Sequence, residues 1–306
     1  MTQAPLVSII MPTYNARVGY LREALDSCLA QSYPHWELIV VDDASSNDAP
    51  AVIADYAARD SRVRVLRHAE NRRLPAALNR GIRAASGTLM TWFSDDDVYR
   101  PQAMERMVAY LAEHASVDIV YTDITLVHGD GRVAGKLRVG PPEQLGISKP
   151  VGICFLARRQ AFASTGFSED LFLAEDLDFW IRAFMRFNLA PLHEDLALYR
   201  QHGGTLTQRY PRTEILQVHQ RILDRHQHRM HWLDASGKAH AYLRLAKQQL
   251  RQGAPGPALS ALGRAAGFGP RALGGVLADV LARRLGSAAI RDCERQTGIS
   301  GGGTPS

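Results

Sequence analysis

The sequence predicts an α/β fold in which a mostly parallel central sheet is flanked by helices and followed by an all-helical C-terminal extension. Three observations carry this. Apolar runs at 6–11, 37–41, 62–66 and 88–93 alternate with amphipathic segments at 18–30, 48–59 and 75–85. Such an order gives parallel strands joined by right-handed helical crossovers. Polar residues stand directly after three of those runs, where sheets of this kind bind their ligands. Beyond residue 210 the strand-like runs cease and helical spacing takes over.

Each element follows from local chemistry. Leu6-Val7-Ser8-Ile9-Ile10-Met11 is a short apolar run closed by Pro12, the pattern of a buried strand. In 18–30, Leu21, Ala24, Leu25, Cys28 and Leu29 recur at helical spacing. Glu37-Leu38-Ile39-Val40-Val41 reads as the second strand. Asp48 then stands where it can cap a helix reaching Arg59, with Val52, Ile53 and Tyr56 inward. Arg62-Val63-Arg64-Val65-Leu66 alternates as a third strand, and a helix at 75–85 leads to the fourth. Past Pro101, Met104, Met107, Val108 and Leu111 mark a helix, and 118–121 a strand. Gly129-Asp130-Gly131 signals a hairpin turn, and the Pro- and Gly-rich stretch 139–152 a loop. A helix from Asp176 to Phe187 carries Phe179, Trp180, Ala183 and Phe184 on one face, and a strand at 196–199 runs into Arg200-Gln201-His202. Trp92, Phe93, Phe179, Trp180 and Phe184 are assigned to the core. Helices at 215–233, 240–252, 257–266 and 271–285 are separated by Gly or Pro, and 301–306 has the composition of a disordered tail.

Composition narrows the function. With 306 residues, 46% hydrophobic and 22% charged, the chain suits one large α/β domain or two modest ones. No apolar run is long enough to span a bilayer, and Met1-Thr2-Gln3-Ala4-Pro5 lacks the features of a secretory signal. Cys28, Cys154 and Cys293 are far apart and in no metal spacing, which argues against disulfides and zinc and fits a reducing cytoplasm. The net charge of +5 is uneven: residues 209–306 hold 15 Lys and Arg against 6 Asp and Glu. Two readings of that basic extension stand. One is a peripheral contact with an anionic membrane through the C-terminal helices, Arg283-Arg284 among them. The other is solvated faces of a helical cap or dimer contact. His226, His228 and His231 have no acids around them and are read as solvated. Diffuse charge without a recognition motif argues against nucleic acid.

The chemistry-bearing residues sit after the first, second and fourth strands: Pro12-Thr13-Tyr14-Asn15, Asp42-Asp43-Ala44-Ser45, and Ser94-Asp95-Asp96-Asp97. Consecutive carboxylates repel unless solvent or a cation screens them. Oxygen-only ligation with no His or Cys beside it points to a hard cation, Mg²⁺ or Mn²⁺. The plainer reading of Asp95, Asp96 and Asp97 alone, a solvated turn ahead of Pro101, weakens because Thr13, Asp42 and Asp43 share the same edge. Neither a Gly-x-Gly-x-x-Gly turn nor a Gly-Lys-Ser/Thr turn follows the first strand, which argues against a dehydrogenase and an ATPase.

Taken in order, Pro12-Thr13-Tyr14-Asn15, Val41-Asp42-Asp43-Ala44-Ser45, Asn79-Arg80-Gly81-Ile82 with Gly87, Ser94-Asp95-Asp96-Asp97, Glu175-Asp176 before Trp180, and Tyr199-Arg200-Gln201-His202 resemble the motifs of the family 2 glycosyltransferases, inverting enzymes with the GT-A (Rossmann-like) fold. The resemblance covers about 6–208. It implies nucleotide contacts by Pro12, Thr13, Tyr14 and Asn15, with Asp43 on the base and Arg73, or Arg72, facing the nucleotide. Where the family commonly has Asp-x-Asp, this chain has Ser94 first. Asp95 and Asp96 match the shorter Asp-Asp form, with Asp95 toward the nucleotide, Asp96 the direct metal ligand and Asp97 a further participant. Asp176 is implied as the base and Glu175 as an acceptor contact, against the plain reading of two acids welcomed by a helix N-terminus. His202 is implied to reach the metal or diphosphate, Arg200 being the other candidate for the diphosphate charge; a structural His is the alternative.

The chemistry asks for the same parts. Expelling a nucleoside diphosphate builds charge that a divalent cation stabilises, and an acceptor hydroxyl needs a carboxylate to take its proton. The sequence thus leads to a metal-dependent inverting transferase using Mn²⁺ or Mg²⁺, with a UDP-sugar as donor and a carbohydrate or lipid-linked glycan as acceptor. Its expected location is the cytoplasm, at the inner membrane face where it meets lipid. Residues 1–208 form the catalytic domain, 1–97 binding nucleotide and metal and 98–208 the acceptor; 209–300 form the extension. The alternatives are a silent nucleotide-sugar binding module and a nucleotidyl- or phosphotransferase.

Overall fold

The computed structural model describes residues 4–148 and 150–271. Its order is β1 (Val7–Thr13), α1 (Val18–Leu29), β2 (Trp36–Asp42), α2 (Ala49–Arg59), β3 (Val63–Arg67), α3 (Arg73–Ala84), β4 (Leu89–Trp92), β5 (Val98–Tyr99), α4 (Ala103–Glu113), β6 (Ile119–His128), β7 (Val133–Leu137), β8 (Phe155–Arg158), α5 (Arg159–Thr165), α6 (Glu175–Phe184), β9 (Leu189–Gln201), α7 (Leu206–Arg209), α8 (Arg212–His226), α9 (Ala235–Arg251) and α10 (Pro255–Ala266). The expected helix 271–285 with Arg283-Arg284, Cys293 and the tail 301–306 lie, beyond Arg271, outside the described residues.

The sheet runs β3-β2-β1-β4-β8-β6-β9-β5, with β7 paired to β6. The first four strands are parallel, as their apolar runs require: β1 and β2 are buried at every position. The second half is mixed, because β8, β7 and β5 run against their neighbours while β6 and β9 are parallel. Helices cover both faces. α1 buries Leu21, Ala24, Leu25 and Cys28, and each large apolar side chain so buried contributes roughly 1.5–3 kcal/mol. α3 comes close to β1 because residue 81 is glycine: a Cβ there would lie 2.3 Å from the Ile10 side chain.

Several local expectations change. Asp48 makes no side-chain cap on α2; Asn47 Oδ1 instead accepts the Ala49 N–H at 3.2 Å. The hairpin turns at 129–131 as expected, with Gly131 at φ 84°. β8 and α5 were not legible, and β9 starts well before 196. Trp180 and Phe179 are core, packed on Phe155 and Phe162, whereas Trp92 is half-buried and lines a cavity. His226 is not solvated but buried, bonded to Asp178; His228 and His231 are exposed.

The chain divides into two units between His231 and Trp232. The first holds the sheet and α1 to α8; α8 belongs there because His226 bonds Asp178 of α6. The second holds α9 and α10, with Ala258, Ala261 and Ala265 buried and Tyr242 stacked on Phe268 at 6.1 Å. Asp234 caps α9, accepting the Gly237 N–H. Among the described residues no helix is long and apolar enough to cross a membrane.

Candidate active site

Parallel strands bring their carboxyl ends to one sheet edge, and a cavity of about 390 Å³ opens there. It is lined by Pro12, Thr13, Tyr14 and Asn15 after β1, Asp43 after β2, Arg73 at the start of α3 and Asp95, Asp96 and Asp97 after β4. Glu175 and Asp176 join them from the first turn of α6, and His202 from the end of β9. These residues therefore line one cavity, although residues 12 and 202 lie at opposite ends of the sheet-forming sequence, whereas Asp42, Arg72 and Arg200 are not among its lining.

The loops on the nucleotide side are tied to one another. Asn15, at φ 51°, receives the Ser45 hydroxyl as acceptor for its own N–H at 2.9 Å and accepts the Ser46 N–H through Oδ1 at 2.8 Å. Asparagine tolerates that backbone region better than bulkier residues. Asp42 is buried and turns inward, accepting the Ser45 N–H at 2.9 Å and pairing with Arg67 at 3.2 Å. Asp43 Oδ1 takes His68 Nδ1 at 2.6 Å and the Arg72 N–H at 2.8 Å. Arg73 sits at φ 69° with its guanidinium 5.1 Å from the Phe172 ring centroid, while the Arg72 side chain is exposed beside Glu169 at 3.7 Å.

The three consecutive aspartates have different surroundings. Asp95 Oδ2 accepts the Thr13 hydroxyl at 2.6 Å. Asp96 accepts the Ser94 hydroxyl at 2.6 Å through Oδ1, and its Oδ2 lies 2.9 Å from His202 Nε2. Asp97 is buried and accepts the Arg200 backbone N–H at 2.9 Å. Burial, and then the charge of Asp96, push the Asp95 carboxyl up to about 7, against the Thr13 hydrogen bond and the Arg209 charge. The same two causes raise Asp97 well above the usual carboxylate range. Tyr199 is pushed to about 12 by burial and by the charges of Asp97, Asp96 and Asp176.

His202 is held by its neighbours. Its ring lies 4.9 Å from that of Tyr20, whose hydroxyl donates to the Gly129 carbonyl at 3.0 Å. His202 Nδ1 accepts the Gly204 N–H at 3.0 Å, so Nε2 carries the ring proton and donates to Asp96. Arg200 lies over the same tyrosine at 4.5 Å and pairs with Glu23 at 2.5 Å; it is 4% exposed and committed to this scaffold.

The donor set fits a hard divalent cation. Crowded, partly compensated negative charge on Asp95 and Asp96 is what such an ion relieves, and carboxylate oxygens with one imidazole suit Mn²⁺ or Mg²⁺. Among the described residues no group of three or more His, Cys, Asp or Glu is arranged to hold a metal. Cations of this class commonly complete their shell with water and phosphate oxygens.

Three contributors were not legible in the sequence. Arg209 is an exposed cation at the cavity that acts electrostatically on Asp95. Phe172 and Tyr210 form an edge-to-face pair at 5.4 Å on the cavity wall. His68 is the buried partner of Asp43. None belongs to a local pattern: Arg209, Phe172 and Tyr210 line the cavity, and His68 reaches it only through Asp43.

Comparison with known proteins places these features. The model of the family "Glycosyl transferase family 2" matches residues 8–163. EpsE of Bacillus subtilis (strain 168), named as a glycosyltransferase, is 31% identical over 191 residues, 60% of this chain and 68% of that protein. The chain spans smaller shares, 63% and 55%, of two further relatives from the same organism. Among solved structures, Staphylococcus aureus TarS 1-349 in complex with UDP-GlcNAc superposes with a TM-score of 0.61 at 18% identity, covering 80% of this chain and 73% of that one. Mannosyltransferase PcManGT from Pyrobaculum calidifontis, in complex with GDP-Man and Mn²⁺, gives 0.61 at 22% identity, covering 93% and 81%. These two likenesses show the fold.

Proposed function

The chain belongs to glycosyl transferase family 2, and from that premise we propose that it transfers a sugar from a nucleotide donor, a UDP-sugar, to a hydroxyl of a carbohydrate or lipid-linked glycan acceptor, with inversion and with a divalent cation. The observation that carries this reading is the meeting of Asp95 and Asp96 with Thr13, His202 and Asp176 in one cavity.

In this reading the acceptor oxygen attacks the anomeric carbon while its proton passes to the Asp176 carboxylate. The bond from the anomeric carbon to the phosphate oxygen breaks, and its electron pair stays on the departing diphosphate. Attack from the opposite face inverts the configuration. Asp176 stands in the first turn of α6, where the helix dipole favours its ionised, proton-accepting form. Such a base contributes about two to four powers of ten in rate. When bound by Asp96, with Asp95 and His202 beside it, Mn²⁺ or Mg²⁺ supplies charge stabilisation for the leaving diphosphate. Arg209 adds a second positive charge at the cavity, and Tyr14, 43% exposed, offers the base an aromatic face.

Asp43 supports the choice of uracil, since its carboxylate accepts from an imide N–H. Glu175 and the Phe172 and Tyr210 rings line the side assigned to the acceptor. A peripheral contact with anionic lipid at the cytoplasmic face is assigned to the second unit, where Lys238, Arg244, Lys247, Arg251, Arg264 and Arg271 stand against one acid, Asp234, from Trp232 to Arg271.

The test is a thermal-shift panel of UDP, GDP, dTDP, CDP and NAD with and without Mn²⁺. A ligand at about a hundred times its Kd adds roughly 2.7 kcal/mol, a shift of several degrees. A Mn²⁺-dependent shift with UDP is expected. No shift with any diphosphate overturns the proposal.

A further inference from the structure

Asp43 is 3% exposed, lines the cavity, and among the described residues uses only one of its two oxygens. Oδ1 takes both His68 Nδ1 and the Arg72 N–H, whereas Oδ2 has no hydrogen-bond partner among the described residues. Both residues of the buried pair are fixed from behind. The Asp43 N–H donates to the Thr13 carbonyl at 2.9 Å, and the His68 N–H to the Asp42 carbonyl at 2.9 Å. His68 is itself 5% exposed. Because an ionised carboxylate only accepts, the ring proton in this contact sits on His68 Nδ1.

A carboxylate without such a clamp turns about its terminal torsion, which is broad and roughly two-fold, so part of the free energy of a bond to the base is lost in ordering it. Here two donors on one oxygen fix the plane of the group. A single acceptor is left for the nucleotide. We propose that His68 is the positioning residue that sets base specificity: by pinning Asp43 Oδ1 it leaves only Oδ2 to the ligand, so that the site selects a pyrimidine with an N3–H donor, uracil or thymine, over cytosine, whose N3 is an acceptor. This rests on the nucleotide-binding function proposed above and adds the residue that enforces its selectivity. The physical basis is the asymmetry of buried polar groups. A matched N–H restores the bond that Asp43 loses on leaving water, while an acceptor facing Oδ2 leaves both unsatisfied and repelling.

The experiment measures, by calorimetry with Mn²⁺ present, the Kd of UDP, of UDP methylated at N3, and of CDP for the full chain and for His68→Leu, His68→Met and His68→Asn. Wild type should favour UDP over both other ligands by about ten- to a hundredfold, the range of a hydrogen bond to a charged group. His68→Leu and His68→Met remove the donor at similar volume. They should bring the three Kd values to within a few-fold of each other, with CDP affinity unchanged as the sign of an intact cavity. His68→Asn, which places an amide N–H near the position of Nδ1, should restore the preference. Retention of full selectivity by a folded Leu or Met variant overturns the inference, as does equal binding of UDP and N3-methyl UDP by wild type. If neither apolar variant folds, failure of His68→Asn to keep the preference overturns it and retention supports it. Failure of wild type to bind any of these ligands instead removes the nucleotide-binding proposal itself.

Discussion

His226 Nε2 lies 2.8 Å from Asp178 Oδ1, with the histidine 3% and the aspartate 0% exposed. Asp178 Oδ2 also accepts the Ser168 hydroxyl and Arg182 Nε, each at 2.7 Å, and Arg182 reaches the Thr165 and Gly166 carbonyls. Asn79 of α3 binds the same stretch through both the Phe167 N–H and carbonyl at 2.9 Å. The segment entering α6 is thus held from α3, α6 and α8, and Asp176 stands two residues from the centre of that clamp.

Acid should loosen it within a definite window. Burial raises the Asp178 carboxyl, but the hydrogen bond from His226, the Arg182 charge and the bonds from Ser168 and Arg182 outweigh burial and hold it at about 2. The ordinary value is about 3.9, so this stabilisation is complete above pH ~4 and is lost as pH falls through ~2, amounting to roughly 2 kcal/mol. His226→Ala should destabilise by about 3–5 kcal/mol at pH 7, the range for breaking a buried pair. In urea titrations from pH 7 to 2, the gap between wild type and His226→Ala should narrow below pH 4. A gap that stays constant to pH 2 contradicts the assignment.

One substitution at two glycines should act in opposite directions. A Cβ on Gly87 would meet the Leu6 carbonyl oxygen at 2.6 Å and the Ser8 N and Oγ at 2.7 Å, whereas one on Gly19 meets nothing within 4 Å. The Gly87 N–H also donates to Ser8 Oγ, which in turn donates to Glu37 Oε1 at 2.6 Å, so the backbone there has little room to yield. Gly87→Ala should cost about 1–3 kcal/mol. Gly19→Ala, in α1, should gain about 0.5–1 kcal/mol from a less flexible unfolded chain and better helix propensity. Chemical denaturation of both variants decides it: equal effects at the two positions would contradict the packing.

What could be read from sequence follows from how locally each feature is encoded. β1, β2 and β4 stand out because strands covered on both faces are continuous apolar runs. β8 spans four residues and α5 seven, too few for a period to register. β9 carries Pro191 and the run His193-Glu194-Asp195, and its pairing with β6 shifts register at Thr122 and Asp123, so its first half does not look like a strand. In the site, strand-end polar residues announce themselves by position. Asp95, Asp96 and Asp97 cannot be sorted that way, since identical side chains differ only in partners 82, 106 and 103 residues away. His226 looks solvated for the same reason: its acid is 48 residues earlier in the chain.

The roles proposed for the acids separate under two conservative variants. Asp96 has both oxygens engaged, by the Ser94 hydroxyl and His202 Nε2, on the side of the cavity assigned to the cation and diphosphate. Asp176 Oδ1 accepts the adjacent Leu177 N–H at 2.7 Å, and the residue lies half-buried at the start of α6. Removing one carboxylate charge from each should therefore do different things. Asp96→Asn weakens the hold on a divalent cation, so UDP affinity should lose its dependence on Mn²⁺ and fall to the level wild type shows in EDTA. Asp176→Asn leaves the nucleotide contacts in place, so the Kd for UDP with Mn²⁺ should stay within about twofold while turnover drops by roughly 10² to 10⁴, the usual worth of a general base. Calorimetry for binding and donor-dependent product release for turnover measure the two effects independently. Equal loss of UDP binding in both variants would mean that Asp176 serves the donor rather than the acceptor hydroxyl.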